Sequence, residues 1–349
     1  MSEAVRAALA AVVEGRSLSI DEARLAMGAV MDGEATPAQL AALLVALRMR
    51  GETVEELAGF ASAMRERVLR VDAPDGTIDV VGTGGDGSGT FNISTASALV
   101  VASMGVPVAK HGNRAITSRS GSADVLEALG VRIDHTAESA AASLRDHGFA
   151  FLFAPAFHPA MKHAGPTRRE IGIRTSFNLI GPLTNPAGAR RALIGVGAAE
   201  AAARIADVAG VLGTDRTLVV HGAGIDELPL DGSGVLYDVA DGHVKAREVV
   251  ASSFGLGSAP TSALAGGTAA ENAAIVEAVF AGQTGPRRDV VLLNAGAALV
   301  AAGATRDIEE GIGAARSALD AGDPADLLAR LRSDKVAADE LAAVEPAPA

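Results

Sequence analysis

Three short runs carry most of the chemistry this sequence can do. The first, Gly82-Thr83-Gly84-Gly85-Asp86-Gly87-Ser88-Gly89, follows a β-branched run at 78–81. Glycine at this density lets the backbone enter positive φ and bring N–H groups to a phosphate without Cβ clashes. A helix opening near Asn92-Ile93-Ser94-Thr95 would aim its first amides and its dipole at the same place, so phosphate or pyrophosphate is the expected ligand. The second run, Lys110-His111-Gly112-Asn113-Arg114, is expected as a loop after the strand 106–109, with Ser118, Ser120 and Ser122 just beyond. Lys110 offers a compact positive charge, Asn113 a donor and an acceptor, and Gly112 close backbone approach. The third, Asp226-Glu227, is a carboxylate pair in a loop after a strand ending at His221. Such oxygens suit Mg²⁺, usually beside waters and substrate phosphates. At the carboxyl edge of a parallel sheet the three loops would meet in one crevice.

Other runs are less specific. Arg168-Arg169 precedes residues 177–186, and an Arg fork matches a carboxylate bidentately. The seven histidines show no HExxH or other metal spacing, so zinc is not expected. His111 and His158 fall near the proposed site, where a lone histidine is more often structural. Gly82-x-Gly84-x-x-Gly87 also fits the dinucleotide fingerprint, which wants an acidic residue about 20 positions on. Lys110-His111 stands there instead, which leaves an NADP-dependent oxidoreductase disfavoured but open. The loop has no Gly-Lys-Ser/Thr ending, so an ATPase phosphate loop is set aside.

The elements that must position these residues are visible around them. Three capping boxes, Ser19-x-x-Glu22, Thr36-Pro37-x-Gln39 and Thr53-x-x-Glu56, predict a purely helical start. In the third helix Leu40, Leu43, Leu44 and Leu47 share a face while Ala41, Ala42 and Val45 make the other sides apolar, as in a buried helix or a subunit contact. From Thr77 onward, strands at 78–81, 106–109, 149–153, 193–196 and 217–221 alternate with helical patterns at 94–104, 122–129, 137–147 and 199–212. That alternation predicts βαβ units and a mostly parallel sheet flanked by helices. Strands 235–239 and 243–249, joined through Asp241-Gly242, read as an antiparallel hairpin. Helices fill most of 268–332, and 345–349 is a Pro/Ala tail. The expected class is α/β, with a small all-helical domain over 1–73, joined by about 165–190, and a large α/β domain over 74–164 and 191–345.

With 349 residues, 49% of them hydrophobic, the chain can bury one large core and a smaller one. Its formal net charge of −12 argues against a nucleic-acid or anionic-membrane surface, including a non-catalytic nucleic-acid-binding relative of the same fold. Cysteine is absent, which removes disulfides, thiolate nucleophiles and Cys-based metal sites. Neither a signal pattern nor a bilayer-length apolar run is present, so a cytoplasmic location is expected.

Seven motifs in order resemble the anthranilate phosphoribosyltransferases, of the nucleoside phosphorylase and phosphoribosyltransferase fold family. They are GTGGD at 82–86, FNIST at 91–95, KHGNR at 110–114, SGSADVLEALG at 120–130, HPAMK at 158–162, FNLIGPLTNP at 177–186 and HGAGIDEL at 221–228. The likeness runs from the helical start to about residue 335. It implies transfer of the phosphoribosyl group of 5-phosphoribosyl 1-pyrophosphate (PRPP) to the anthranilate amine in tryptophan biosynthesis, by a homodimer joined through the helical domain. It further implies that Gly82, Gly85, Asp86, Thr90, Asn92, Ile93, Ser94 and Thr95 cradle PRPP. Lys110, His111, Gly112, Asn113, Arg114, Ala115, Ile116, Thr117, Ser118 and Ser122 would help. By the same resemblance Ser94, Asp226 and Glu227 hold Mg²⁺, while Gly82, Asn113 and Arg168 take anthranilate. Ala115-Ile116-Thr117 departs from the small or hydroxylated residues usual there. No acid or base is assigned, because an aromatic amine is already neutral and nucleophilic.

Overall fold

The chain starts as four helices whose first turns are closed by side chains. The computed structural model describes residues 2–115 and 119–344. Helices α1 (Glu3–Val13), α2 (Ile20–Met31), α3 (Pro37–Arg50) and α4 (Val54–Glu66) pack as a bundle. All three expected capping boxes form at α2, α3 and α4. Glu56 does more than close its box. Its buried carboxylate also accepts the Leu18 N–H (2.8 Å) and pairs with Arg50, tying the α1–α2 turn to the end of α3. Leu40, Leu43, Leu44 and Leu47 are buried as their spacing predicts. The other side of α3 is not: Ala42 is exposed, and Met49 is 83% exposed.

The α/β part follows the expected alternation. β1 (Ile78–Gly82), α5 (Ile93–Ser103), β2 (Val108–Gly112), α6 (Ser122–Ala128), α7 (Ala137–His147) and β3 (Phe149–Phe153) form its first half. The short helices α8 (Ala154–Phe157), α9 (Gly165–Ile171) and α10 (Ser176–Ile180) then leave the sheet, and Phe177, Ile180 and Leu183 join the apolar cluster of the bundle. β4 (Arg191–Gly195), α11 (Ala199–Val211) and β5 (Arg216–Gly222) return to the sheet. The hairpin β6 (Gly234–Ala240) and β7 (His243–Val249) ends it, turning at Asp241 (φ 52) and Gly242 (φ 75). Helices α12 (Ala269–Phe280), α13 (Pro286–Ala302), α14 (Ile308–Ala321) and α15 (Asp323–Val344) finish the described chain.

The sheet has seven strands in the order β3-β2-β1-β4-β5-β6-β7, parallel through β5 and antiparallel beyond. From β1 the chain crosses one face through α5 to β2, and from β4 it crosses the other through α11 to β5. Strand order therefore reverses between β1 and β4, and open α/β sheets bind ligands outside the carboxyl ends of strands at such a point. The core on the α5 side is sealed by α13, whose residues 290–301 are all buried.

One expectation is corrected. Lys110, His111 and Gly112 do not form a loop after β2; they are its last three residues. The strand starts later than the apolar run suggests because Pro107 has no N–H for the ladder and only its carbonyl is used, by Ile78 N–H (2.9 Å).

Candidate active site

The glycine loop leaves β1 at the reversal point, with Gly84, Gly85, Gly87 and Gly89 all at positive φ. At Gly82 the constraint is space. A β-carbon there would overlap the Asp226 carboxylate and push it off the Gly84 N–H. The two loops are also bonded. Gly84 N–H donates to Asp226 Oδ2 (2.9 Å), and Asp226 N–H donates to Asp86 Oδ2 (3.3 Å). Asp86 Oδ1 accepts from the Ser88 N–H and hydroxyl, both at 3.0 Å. Thr90 closes the loop by bridging to Ala265.

Helix α5 then begins beneath the loop with no side-chain cap from Asn92; its Ile93 N–H bonds to the Phe91 carbonyl (2.7 Å) and its Ser94 N–H to the Glu227 carboxylate. Asn92, at the cap position, spends its amide elsewhere: Oδ1 accepts from Asn272 Nδ2 (2.9 Å) and Nδ2 donates to the Ser120 carbonyl (3.3 Å). Ile93 and Thr95 point into the core, while Ser94 is half-buried and donates its hydroxyl to Glu227 Oε1. Ser94, Asp226 and Glu227 thus lie within one hydrogen-bonded cluster with the glycine loop.

Burial dominates the electrostatics of this cluster. Burial first, and then Asp226, push the Glu227 carboxyl up to about 8; burial and then Asp86 push Asp226 up to about 6. Carboxyls that burial keeps from ionising, beside a hydroxyl, are a hard-oxygen donor set. They fit Mg²⁺, which keeps further positions for water and phosphate. Among the described residues no group of three or more His, Asp or Glu gathers to hold a metal.

Lys110 is the nearest buried cation. It is 2% exposed, donates Nζ to the Val80 carbonyl (2.5 Å), and has its pKa lowered by burial against the opposing pull of Asp79, Glu227 and Asp226. Its charge reaches the site from beneath rather than from a surface loop. His111 is also buried. Its N–H donates to Asp79 Oδ1 (3.1 Å), its ring lies 5.1 Å from that of His158, and burial pulls its pKa down to about 3. A neutral imidazole here is part of the wall under the site.

Beyond β2 the chain turns at Gly112, where a β-carbon would overlap the Ser122 hydroxyl. Ser122 Oγ donates to the Asn113 carbonyl (3.3 Å). The exposed Arg114 pairs with Asp124 and Glu127, and Asp124 Oδ2 also accepts the Ala115 and Gly121 N–H groups (2.9 Å each). Asp124 therefore shapes both ends of this loop. Residues Ile116, Thr117 and Ser118 lie outside the described residues.

Arg168 stands on α9 with its guanidinium carbon 4.7 Å from the centre of the Phe177 ring. Burial alone lowers its pKa, so no acid answers this cation among the described residues. Asn113 is exposed and turns Oδ1 to the Arg114 N–H (2.8 Å). Neither Asn113 nor Arg168 hydrogen-bonds the acidic pair among the described residues.

Sequence reasoning missed Arg174. Its Nη1 donates to the carbonyls of Gly84 (2.7 Å) and Gly85 (2.8 Å), so the segment between α9 and α10 pins the glycine loop. Nearby, Ser176 Oγ donates to the buried Glu52 at the α3–α4 turn (3.0 Å), which continues the link into the bundle. Only proximity to the bundle-like segment 166–186 could have hinted at this. A cleft of about 290 Å³ opens beside the loop, lined by Arg174, Gly85, Asp86, Arg48 and Asn178.

Similarity to known proteins agrees with this geometry. A model of the glycosyl transferase family a/b domain matches residues 75–325, and one of that family's helical bundle domain matches residues 6–68. An anthranilate phosphoribosyltransferase of Thermomicrobium roseum is 54% identical over 340 residues, covering 96% of this chain and 97% of the relative. The crystal structure of anthranilate phosphoribosyltransferase from Thermus thermophilus superposes with a TM-score of 0.89 at 46% identity, over 94% of this chain and 99% of that one. The Saccharomyces cerevisiae enzyme, solved in complex with PRPP and Mg, superposes with a TM-score of 0.87 at 28% identity, over 97% and 99% of the two chains. This chain belongs to the anthranilate phosphoribosyltransferase family of glycosyltransferases.

Proposed function

We propose that this chain transfers the phosphoribosyl group of PRPP to the anthranilate amine, releasing pyrophosphate, as a cytoplasmic Mg²⁺-dependent homodimer. The carrying observation is the bonding of Gly84 and Ser94 to the acidic pair, which joins phosphate loop, helix start and metal ligands in one crevice. In this reading the amides of Gly82, Gly85, Asp86 and Thr90, with Asn92, Ile93, Ser94 and Thr95, surround the pyrophosphate. Residues 110–118 and Ser122 help to cradle PRPP, Asn113 and Gly82 line the anthranilate pocket, and Arg168 takes the anthranilate carboxylate. Ser94, Asp226 and Glu227 hold Mg²⁺, which when bound neutralises charge on the pyrophosphate. Residues 1–73 with about 165–190 act as one body and 74–164 with 191–345 as the other, with the substrates between them.

Departure of pyrophosphate builds negative charge on the leaving group and positive charge on the ribose ring. Lys110 and the N-terminal dipole of α5 are already fixed in place, so they stabilise that negative charge without reorganising. The amine needs no base, and the residues around it serve to align nitrogen with the anomeric carbon. The test is direct. Anthranilate fluorescence should fall when PRPP and Mg²⁺ are both added, and should persist when either is left out. Persistence with all three present would overturn the assignment.

A further inference from the structure

A second cleft lies away from the phosphate loop. About 570 Å³ opens at the other end of the same strands, over the first residues of β1, β4 and β5, where the linker leaving α4 and the linker entering β4 meet. Its size is that of a small-molecule site. Its floor is apolar, with Val71, Leu183 and Ile194, and two guanidiniums, Arg65 and Arg190, converge on it.

Their pairing is unequal. Arg190 is answered: Nε donates to Asp215 Oδ1 (2.5 Å) and Nη2 to the Gly213 carbonyl (2.7 Å). Arg65 donates Nε to the Leu183 carbonyl (2.6 Å), while burial and then the like charge of Arg190 both lower its pKa, with no acid opposing them. Asp79, the deepest acid of the cleft, already accepts from Asn185 Nδ2 (2.7 Å) and His111 N–H (3.1 Å). The exposed Asp72 also lines the cleft, but neither it nor Asp79 hydrogen-bonds Arg65, so this half-buried guanidinium, with the exposed Arg190 beside it, is open to an external anion.

We propose that this cleft is a second ligand site, taking a small carboxylate with an apolar body, with the carboxylate on Arg65 and Arg190 and the body against Val71, Leu183 and Ile194. A ligand held there touches both linkers between bundle and sheet, so it restrains their movement without occupying the crevice at the strands' carboxyl ends.

The probe is hexanoate, which has the carboxylate and an apolar tail but no aromatic amine. Calorimetric titration of the full chain should show binding that persists in Arg168→Ala and weakens at least about tenfold in Arg65→Gln, the scale of one lost charge-assisted hydrogen bond. Hydrogen exchange in 68–72 and 182–190 should slow with the probe in wild type. Arg65→Gln should keep its turnover without the probe. If Arg65→Gln does not fold, Arg190→Gln, at an exposed side chain, serves as the second variant and should weaken binding likewise. Absence of binding to wild type overturns the proposal. So does binding lost in Arg168→Ala but intact in both cleft variants, which would place the probe at the substrate crevice.

Discussion

Burial lowers the pKa of the Arg168 guanidinium and no carboxylate compensates, so the side chain carries an unanswered charge against the Phe177 ring. If that charge meets the anthranilate carboxylate, Arg168→Ala removes a charge-assisted pair of about 1.5–3 kcal/mol. The apparent KM for anthranilate should then rise about tenfold to a hundredfold, with that for PRPP nearly unchanged. Equal effects on both substrates would refute the role. The acidic pair leads to a pH prediction. Glu227 and Asp226 have pKa values raised to about 8 and about 6, so without metal they hold protons that Mg²⁺ must displace. Metal binding then releases protons, and the Mg²⁺ concentration for half-saturation should fall as pH rises from about 6 to about 8. A flat dependence would mean that the pair is ionised before metal arrives.

Between residues and fold stands the pinning of one loop by another. The glycine loop's positive-φ turns have little stiffness of their own, and Arg174 supplies it by holding two successive carbonyls. Arg174→Ala should raise the KM for PRPP about tenfold while leaving that for anthranilate and the thermal midpoint nearly unchanged, since an exposed side chain contributes little to the core. An unchanged KM for PRPP would make the contact incidental. The three boxes at Ser19, Thr36 and Thr53 were legible because a cap is a local event, decided within four residues. The turns of the glycine run, at positive φ, were legible for the same reason. The β2 end was not, because whether Lys110 continues a strand depends on the pairing Lys110↔Phe151 with a distant strand. Nor was the reason for Gly82, whose partner Asp226 comes from a loop that only the sheet order brings near. The contact of Gly84 with Asp226 spans 142 residues, and no periodicity within a segment encodes it.

At the scale of the whole molecule, the bundle does not cover its own surface. Val13, Leu25 and Met49, on or at the end of α1, α2 and α3, are 70%, 58% and 83% exposed. The bundle already buries its leucine faces inward, so these side chains have no further use within one chain. Covering each by a second copy would contribute about 1.5–3 kcal/mol per large side chain. Sedimentation should accordingly report twice the chain mass of 34.9 kDa at micromolar concentration. The double variant Leu25→Glu, Met49→Glu should sediment as a single chain, because two desolvated carboxylates at such an interface outweigh the apolar gain. A wild-type chain sedimenting at 34.9 kDa would remove the bundle as a subunit contact. A dimer unaffected by the double variant would place that contact on another surface.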